Sequence, residues 1–205
     1  MVKILLTVLI GYLLGSISSG VLLSKAFTHS DIRTQGSKNA GTTNMLRIHG
    51  KWMALATFLC DVLKGVIAVF IGKALVGGEL GGVLGVLSAV LGHNFPIFFG
   101  FKGGKGIATS FGSLLFVYPI QSLIAFSVFL IIVFFTHYVS VGSIVAAFTL
   151  PALVILTTPF HPAICSIMAF LGFLVIYRHK TNIIRLLNHN ENKLDFSVFK
   201  SKKKK

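Results

Sequence analysis

Between Asp31 and Arg47 the chain reads Asp-Ile-Arg-Thr-Gln-Gly-Ser-Lys-Asn-Ala-Gly-Thr-Thr-Asn-Met-Leu-Arg, a run richer in small residues, hydroxyls, amides and cations than a connecting loop requires. Gly36 and Gly41 let backbone N–H groups approach an anion, while Ser37, Asn39, Thr43 and Asn44 add donors. Arg47 can grip phosphate oxygens through two parallel hydrogen bonds. The chemistry this suits is phosphate binding without a Walker motif, although helix capping by Ser, Thr and Asn accounts for part of the same composition.

A second constellation runs from Gly92 to Thr109 and contains His93, Lys102, Gly103, Gly104, Lys105 and Gly106 just ahead of an apolar segment. Glycines before a helix leave its first amides exposed, and the positive helix end with Lys102 and Lys105 makes an anion site. No Gly stands at P-loop spacing and Gly106 occupies the place of the Mg²⁺-binding hydroxyl, so a nucleotide is not indicated. His93 reads equally as a catalyst or as a hydrogen-bonded packing residue. The third constellation, Ser140-Val141-Gly142-Ser143, has helix capping as its plain alternative. In the fourth, Arg178 to Leu187 followed by Glu191 and Lys193, His179 and Asn182 are three apart and share one helix side.

The elements that must position these groups are apolar. The 205 residues are 54% hydrophobic and only 12% charged, with a mean hydropathy of +0.86, which excludes an ordinary soluble domain. Apolar segments near 4–23, 53–76, 81–99, 107–117, 121–137, 144–158 and 161–177 predict an all-α, polytopic integral membrane protein with about seven transmembrane helices, those between 107 and 158 short. Sixteen of the nineteen Lys and Arg fall in the 24–52 loop, at 102–105 and in the tail after 177. The positive-inside rule puts all three, and the 138–143 turn between them, in the cytosol, with the amino terminus outside and the carboxyl terminus inside.

The net charge of +14 is therefore a topology signal that also attracts anionic lipid, and no nucleic acid partner is expected. Residues 1–193 read as one transmembrane catalytic domain and 194–205 as a basic, flexible tail. Cys60 and Cys165 lie in apolar runs with no partner at metal or disulfide spacing, and no metal or cofactor is expected. Lys64 lies about 18 Å along its helix from Trp52 and needs a partner. Asp61, three residues earlier, supplies one, either as a structural ion pair or in shaping the site.

Together these segments resemble the acyl-phosphate glycerol-3-phosphate acyltransferase family of bacterial inner membranes, PlsY, over nearly the whole chain. Gly15-Ser16-Ile17 with Gly20 is similar to its first-span motif, Gly36-Ser37 to Arg47 to its substrate loop, Phe101 to Gly106 to its glycine-lysine signature, and the stretch through Arg185-Leu186-Leu187 and Glu191 to its carboxyl-terminal motif. Departures are Ser18 in place of a proline or similar small residue, Lys38 where Gly is usual, Ala40 and Thr42 at loosely held positions, and His189 where a tail Gly is typical. Only Lys38 is expected to touch the site.

The resemblance implies acyl transfer from acyl phosphate to the 1-hydroxyl of glycerol 3-phosphate, giving lysophosphatidate and inorganic phosphate. The site would face the cytosol in the bacterial inner membrane, with both substrates and membrane lipid as partners. Ser37, Arg47, Lys105, Ser143, His179 and Asn182 would carry the chemistry. Gly36, Asn39, Gly41, Thr43, Asn44, His93, Lys102, Gly103, Gly104, Gly106 and Ser140 would bind substrate. His followed five residues later by Asp, the signature of soluble-type acyltransferases, is absent at all seven histidines; the bases on offer are His93, His179 and Asp61, and a substrate phosphate is expected to assist deprotonation, with a histidine base as the alternative. The acyl chain is expected between helices, where Phe95, Phe98, Phe99 and Phe101 provide apolar surface near the interface. Rival readings are a small organic-anion or phosphate transporter, for which an inverted repeat is lacking, and a lipid-binding regulatory subunit. The sequence leaves oligomeric state open and is compatible with a monomer.

Overall fold

The computed structural model describes residues 1–196, and these form nine α-helices with no strand. In chain order they are α1 (Val2–Gly15), α2 (Ser19–Thr28), α3 (Thr42–Leu75), α4 (Gly78–Asn94), α5 (Ile107–Leu115), α6 (Pro119–Thr136), α7 (Val139–Thr157), α8 (Pro162–Arg178) and α9 (Lys180–Leu187). Among the described residues five spans are long and apolar enough to cross a membrane, the first formed by α1 and α2 together, and α8 with α9, bent by 52°, makes a sixth. The nine residues of α5 rise only about 13 Å, less than half of a bilayer core of roughly 30 Å. Its ends explain the shortness. Lys105, just before it, contacts Asn182 at the site, whereas the Phe116 carbonyl after it accepts from Lys73 Nζ, 2.9 Å away at the far end of α3.

Several predicted boundaries move for physical reasons. The expected span 4–23 breaks at Ser16–Ser18, because Lys64 Nζ donates to the Ile17 carbonyl (2.8 Å) and holds it outside the helical ladder. In α3, Gly50 takes φ +81 and separates an amphipathic lead-in carrying Arg47 from the membrane-spanning part. α4 stops at Asn94, two residues before Pro96, which disfavours helix in the residue preceding it. The expected 138–143 turn is a correction: Ser140 and Ser143 lie inside the first turns of α7, and the turn is only His137–Tyr138. Gly142 allows this, since a Cβ there would come within 2.8 Å of Val133 and 3.0 Å of Phe129 on α6.

Small residues set the packing, as expected where lipid removes the hydrophobic drive between helices. Cβ atoms at Gly15, Gly72 and Gly85 would lie 2.0–2.2 Å from backbone oxygens of neighbouring helices. Thus α1, α3 and α4 pack backbone to backbone, and α5 lies against α3 across Gly65 and Gly112. α6, α7 and α8 form the other wall. Large apolar side chains such as Phe134, Phe135, Phe148 and Leu156 remain exposed on that wall, as a lipid-facing surface requires. The terminal lysines Lys202 to Lys205, read as a basic tether, lie outside the described residues.

Candidate active site

A cavity of about 340 Å³ opens where the substrate-like loop, the turn before α5, the start of α7 and the α8–α9 junction meet. Its mouth is polar, with Ser37, Asn39, Arg47, Lys105, Ser140, Ser143, His179, Asn182 and Glu191. Its depth is apolar, running between α5, α6, α7 and α8 past Phe111, Phe126, Phe129 and Leu171. α3, α5 and α7 all begin at the mouth, and none of the three has a side chain hydrogen-bonded as its N-cap. Three positive helix ends and their unpaired first amides therefore face one space.

Two arginines hold the loops that frame it. Arg33, paired with Asp31 at 2.8 Å, donates to the carbonyls of Phe99 (2.9 Å) and Lys102 (3.2 Å), tying the first loop to the second. Arg178 stacks on Phe95 and donates to the carbonyls of Gly103 and Gly104. Asn44 organises the first loop: its Oδ1 accepts from the Ser37 amide, and its Nδ2 donates to the carbonyls of Ile32, Gln35 and Asn39. Its amide is thus engaged in shaping the loop.

Lys105 reaches the Asn182 Oδ1, whose Nδ2 donates to Glu191 Oε1 (2.6 Å). Ser140 donates to the same carboxylate and Arg185 to its other oxygen. Burial alone would raise the Glu191 carboxyl, but these hydrogen bonds outweigh it and hold it below its ordinary range. Deeper in, Asp61 Oδ1 accepts from Lys64 (2.8 Å) and Ser19 (3.0 Å), and Lys64 Nζ lies 3.0 Å from His93 Nδ1. The pair expected from the sequence is a buried cluster that both braces the α1–α2 break and, through Asp61 and His93, lines the cavity.

Of the residues singled out, Ser37, Asn39, Gly41, Thr43, Asn44, Arg47, His93, Lys105, Gly106, Ser140, Ser143, His179 and Asn182 converge on this cavity. Gly36, Lys102, Gly103 and Gly104 do not line it. Lys102 is exposed, and Gly104 is glycine for proximity, since a Cβ would come within 2.1 Å of His93 and its amide is engaged by the His93 carbonyl. The four phenylalanines expected to hold an acyl chain are likewise absent from the lining, and Phe98 and Phe101 face outward. Among the described residues no group of three His, Cys, Asp or Glu could hold a metal ion.

A family model described as Glycerol-3-phosphate acyltransferase matches residues 5–189. This chain belongs to the glycerol-3-phosphate acyltransferase family. The glycerol-3-phosphate acyltransferase of Clostridioides difficile (strain 630) is 46% identical over 90% of this chain and 92% of its own length. That of Fusobacterium nucleatum is 44% identical over 92% and 97%. Crystal structures of PlsY, an integral membrane glycerol 3-phosphate acyltransferase, superpose with TM-scores of 0.87 for the glycerol 3-phosphate form and 0.84 for the lysophosphatidic acid form. They are 37% and 36% identical and cover 94% and 96% of this chain, and 96% and 98% of their own.

Within this glycerol-3-phosphate acyltransferase, the residues that the motif reading passed over are Thr42 and Ser110, whose hydroxyls are buried at the cavity with no partner among the described residues. Thr42 opens α3 directly after Gly41, and a hydroxyl after glycine was the available signal there; Ser110, the fourth residue of α5, has no such signal. Glu191 was seen only as part of a motif. The departures at Lys38 and His189 gain a physical meaning: both take positive φ, +58 and +55, where a Cβ is strained. Lys38 is exposed and does not line the cavity. Lys38→Gly is expected to stabilise the protein by about 0.5–1 kcal/mol, read as a higher thermal unfolding midpoint in detergent.

Proposed function

We propose that the protein transfers a fatty acyl group from an acyl phosphate to the sn-1 hydroxyl of glycerol 3-phosphate, at the cytosolic face of a bacterial cytoplasmic membrane. The observation that carries this reading is one cavity joining a cationic mouth with three helix N-termini to a buried apolar channel. A transporter for a small anion has no use for the channel, whereas an acyl phosphate needs both parts. The solved relatives with glycerol 3-phosphate and with lysophosphatidic acid support it.

In the reaction the glycerol hydroxyl oxygen attacks the acyl carbonyl carbon. The carbon–oxygen bond to phosphate then breaks, and the hydroxyl proton passes to the departing phosphate. Arg47, Ser37 and the first-turn amides hold the phosphates close and lower the entropic barrier. Ser143, His179 and Asn182 position glycerol 3-phosphate, while Lys105 faces the developing oxyanion. Residues 1–193 act as one membrane-embedded unit with the amino terminus outside.

The test is purified protein given palmitoyl phosphate and radiolabelled glycerol 3-phosphate. Lysophosphatidate should form, and palmitoyl-CoA should not substitute; no product from an acyl phosphate of any chain length, or reporter fusions placing residues 37 and 105 in different compartments, would overturn the reading. A pH series adds a sign. Burial, opposed by Glu191 and reinforced by Arg185, Arg47 and Arg178, pulls the Lys105 ammonium down to about 8. A bound phosphate raises it again, so affinity through this charge is complete below pH 8 and is lost as pH rises through the free-enzyme value. KM for the anion it contacts should be flat below pH 8 and climb by up to about tenfold per unit above it. Lys105→Arg should flatten that climb.

A further inference from the structure

The apolar part of the cavity has a floor. On α7 the lining runs from Ser140 to Leu150 and Pro151, and on α8 from His179 back to Met168. At about 1.5 Å per residue, Leu150 and Met168 lie roughly 15–16 Å below the polar mouth. α5 contributes Leu114 and α6 contributes Ala125 to the same end of the lining. All four residues are buried, with at most 7% exposure, so the channel does not open to lipid there. Beyond them Tyr118, Val154 and Ile164 belong to the same buried core and do not line the cavity.

We propose that Leu114, Ala125, Leu150 and Met168 form a stop that sets the longest acyl chain the enzyme accepts. The inference rests on the acyltransferase reading and extends it to donor selection. The depth is close to half of a hydrocarbon core of roughly 30 Å, the share of one lipid chain in one leaflet. A chain ending at the floor gains apolar burial with each added methylene. A longer one must displace close-packed side chains or leave its reactive end out of register with Lys105 and Ser143. Ala125 is the smallest member and so the position at which added volume shortens the channel most directly.

The experiment measures kcat/KM across acyl phosphates from decanoyl to eicosanoyl at saturating glycerol 3-phosphate, for the parent, Ala125→Leu and Leu150→Ala. One methylene of apolar burial corresponds to about fourfold. Ala125→Leu should therefore lower the dodecanoyl-to-decanoyl ratio by about tenfold or more, because an extended chain of about a dozen carbons already reaches the floor, and Leu150→Ala should raise the hexadecanoyl-to-dodecanoyl ratio by a similar factor. Because the two substitutions move the limit in opposite directions, a general loss of folding cannot imitate the result, and Leu150→Ala decides if the bulkier variant does not fold. A working parent whose chain-length profile ignores the floor substitutions overturns this inference alone. A parent that accepts no acyl phosphate of any length overturns the acyltransferase reading with it.

Discussion

Lys105→Ala is expected to lower kcat by about 10²–10³-fold, the cost of removing one preorganised donor from a developing oxyanion. Lys105 is well placed for this because its hydrogen-bond partner is the neutral Asn182 amide oxygen. The neighbouring cations are committed elsewhere: Arg178 to the Gly103 and Gly104 carbonyls, Arg185 to Glu191, Arg33 to Asp31. Steady-state rates at saturating donor check the prediction, with thermal unfolding showing that the fold persists. Lys105→Arg retains charge but replaces a compact ammonium by a planar fork, and should recover substrate affinity more fully than turnover. Equal activity of Lys105→Ala and the parent would remove this residue from the mechanism.

The second large effect is on stability. Lys64→Met should destabilise the protein by about 3–5 kcal/mol, because it leaves a buried carboxylate without its cation. Asp61 is 1% exposed and Lys64 5%, and the same ammonium holds the Ile17 carbonyl at the break between α1 and α2. Asp61→Leu combined with Lys64→Met removes the unpaired charge and should recover a large part of the loss, although Ser19 and His93 then lose a partner. Thermal unfolding in detergent and folded yield measure both. If the double variant were as unstable as Lys64→Met, the Ile17 contact would outweigh the ion pair.

Ser37, Arg47, Lys105, His179 and Asn182 were legible because polar residues between apolar runs stand out, and the positive-inside rule groups them on one side. Gly103 and Gly104 are legible as glycines, but their close packing against His93 is not. The collision a Cβ would make with His93 is a contact between residues ten or more apart, which spacing along the chain does not encode. In the sequence Thr42 stands at a loosely held position and no spacing marks Ser110; burial without a hydrogen-bond partner sets both apart.

By itself the amino-acid order determined the solvent this protein folds in, its all-helical class, and the polar, cationic character of the loops between its apolar runs. These depend on composition and short-range pattern. Only the tertiary structure decided where the apolar channel runs. The phenylalanines near the glycine-lysine loop were the nearest apolar groups in sequence, yet the channel is made by α5, α6, α7 and α8. Hydropathy cannot tell a lipid-facing side chain from a channel-facing one, because both meet hydrocarbon. That distinction exists only once the helices pack and one apolar face is closed off from the bilayer.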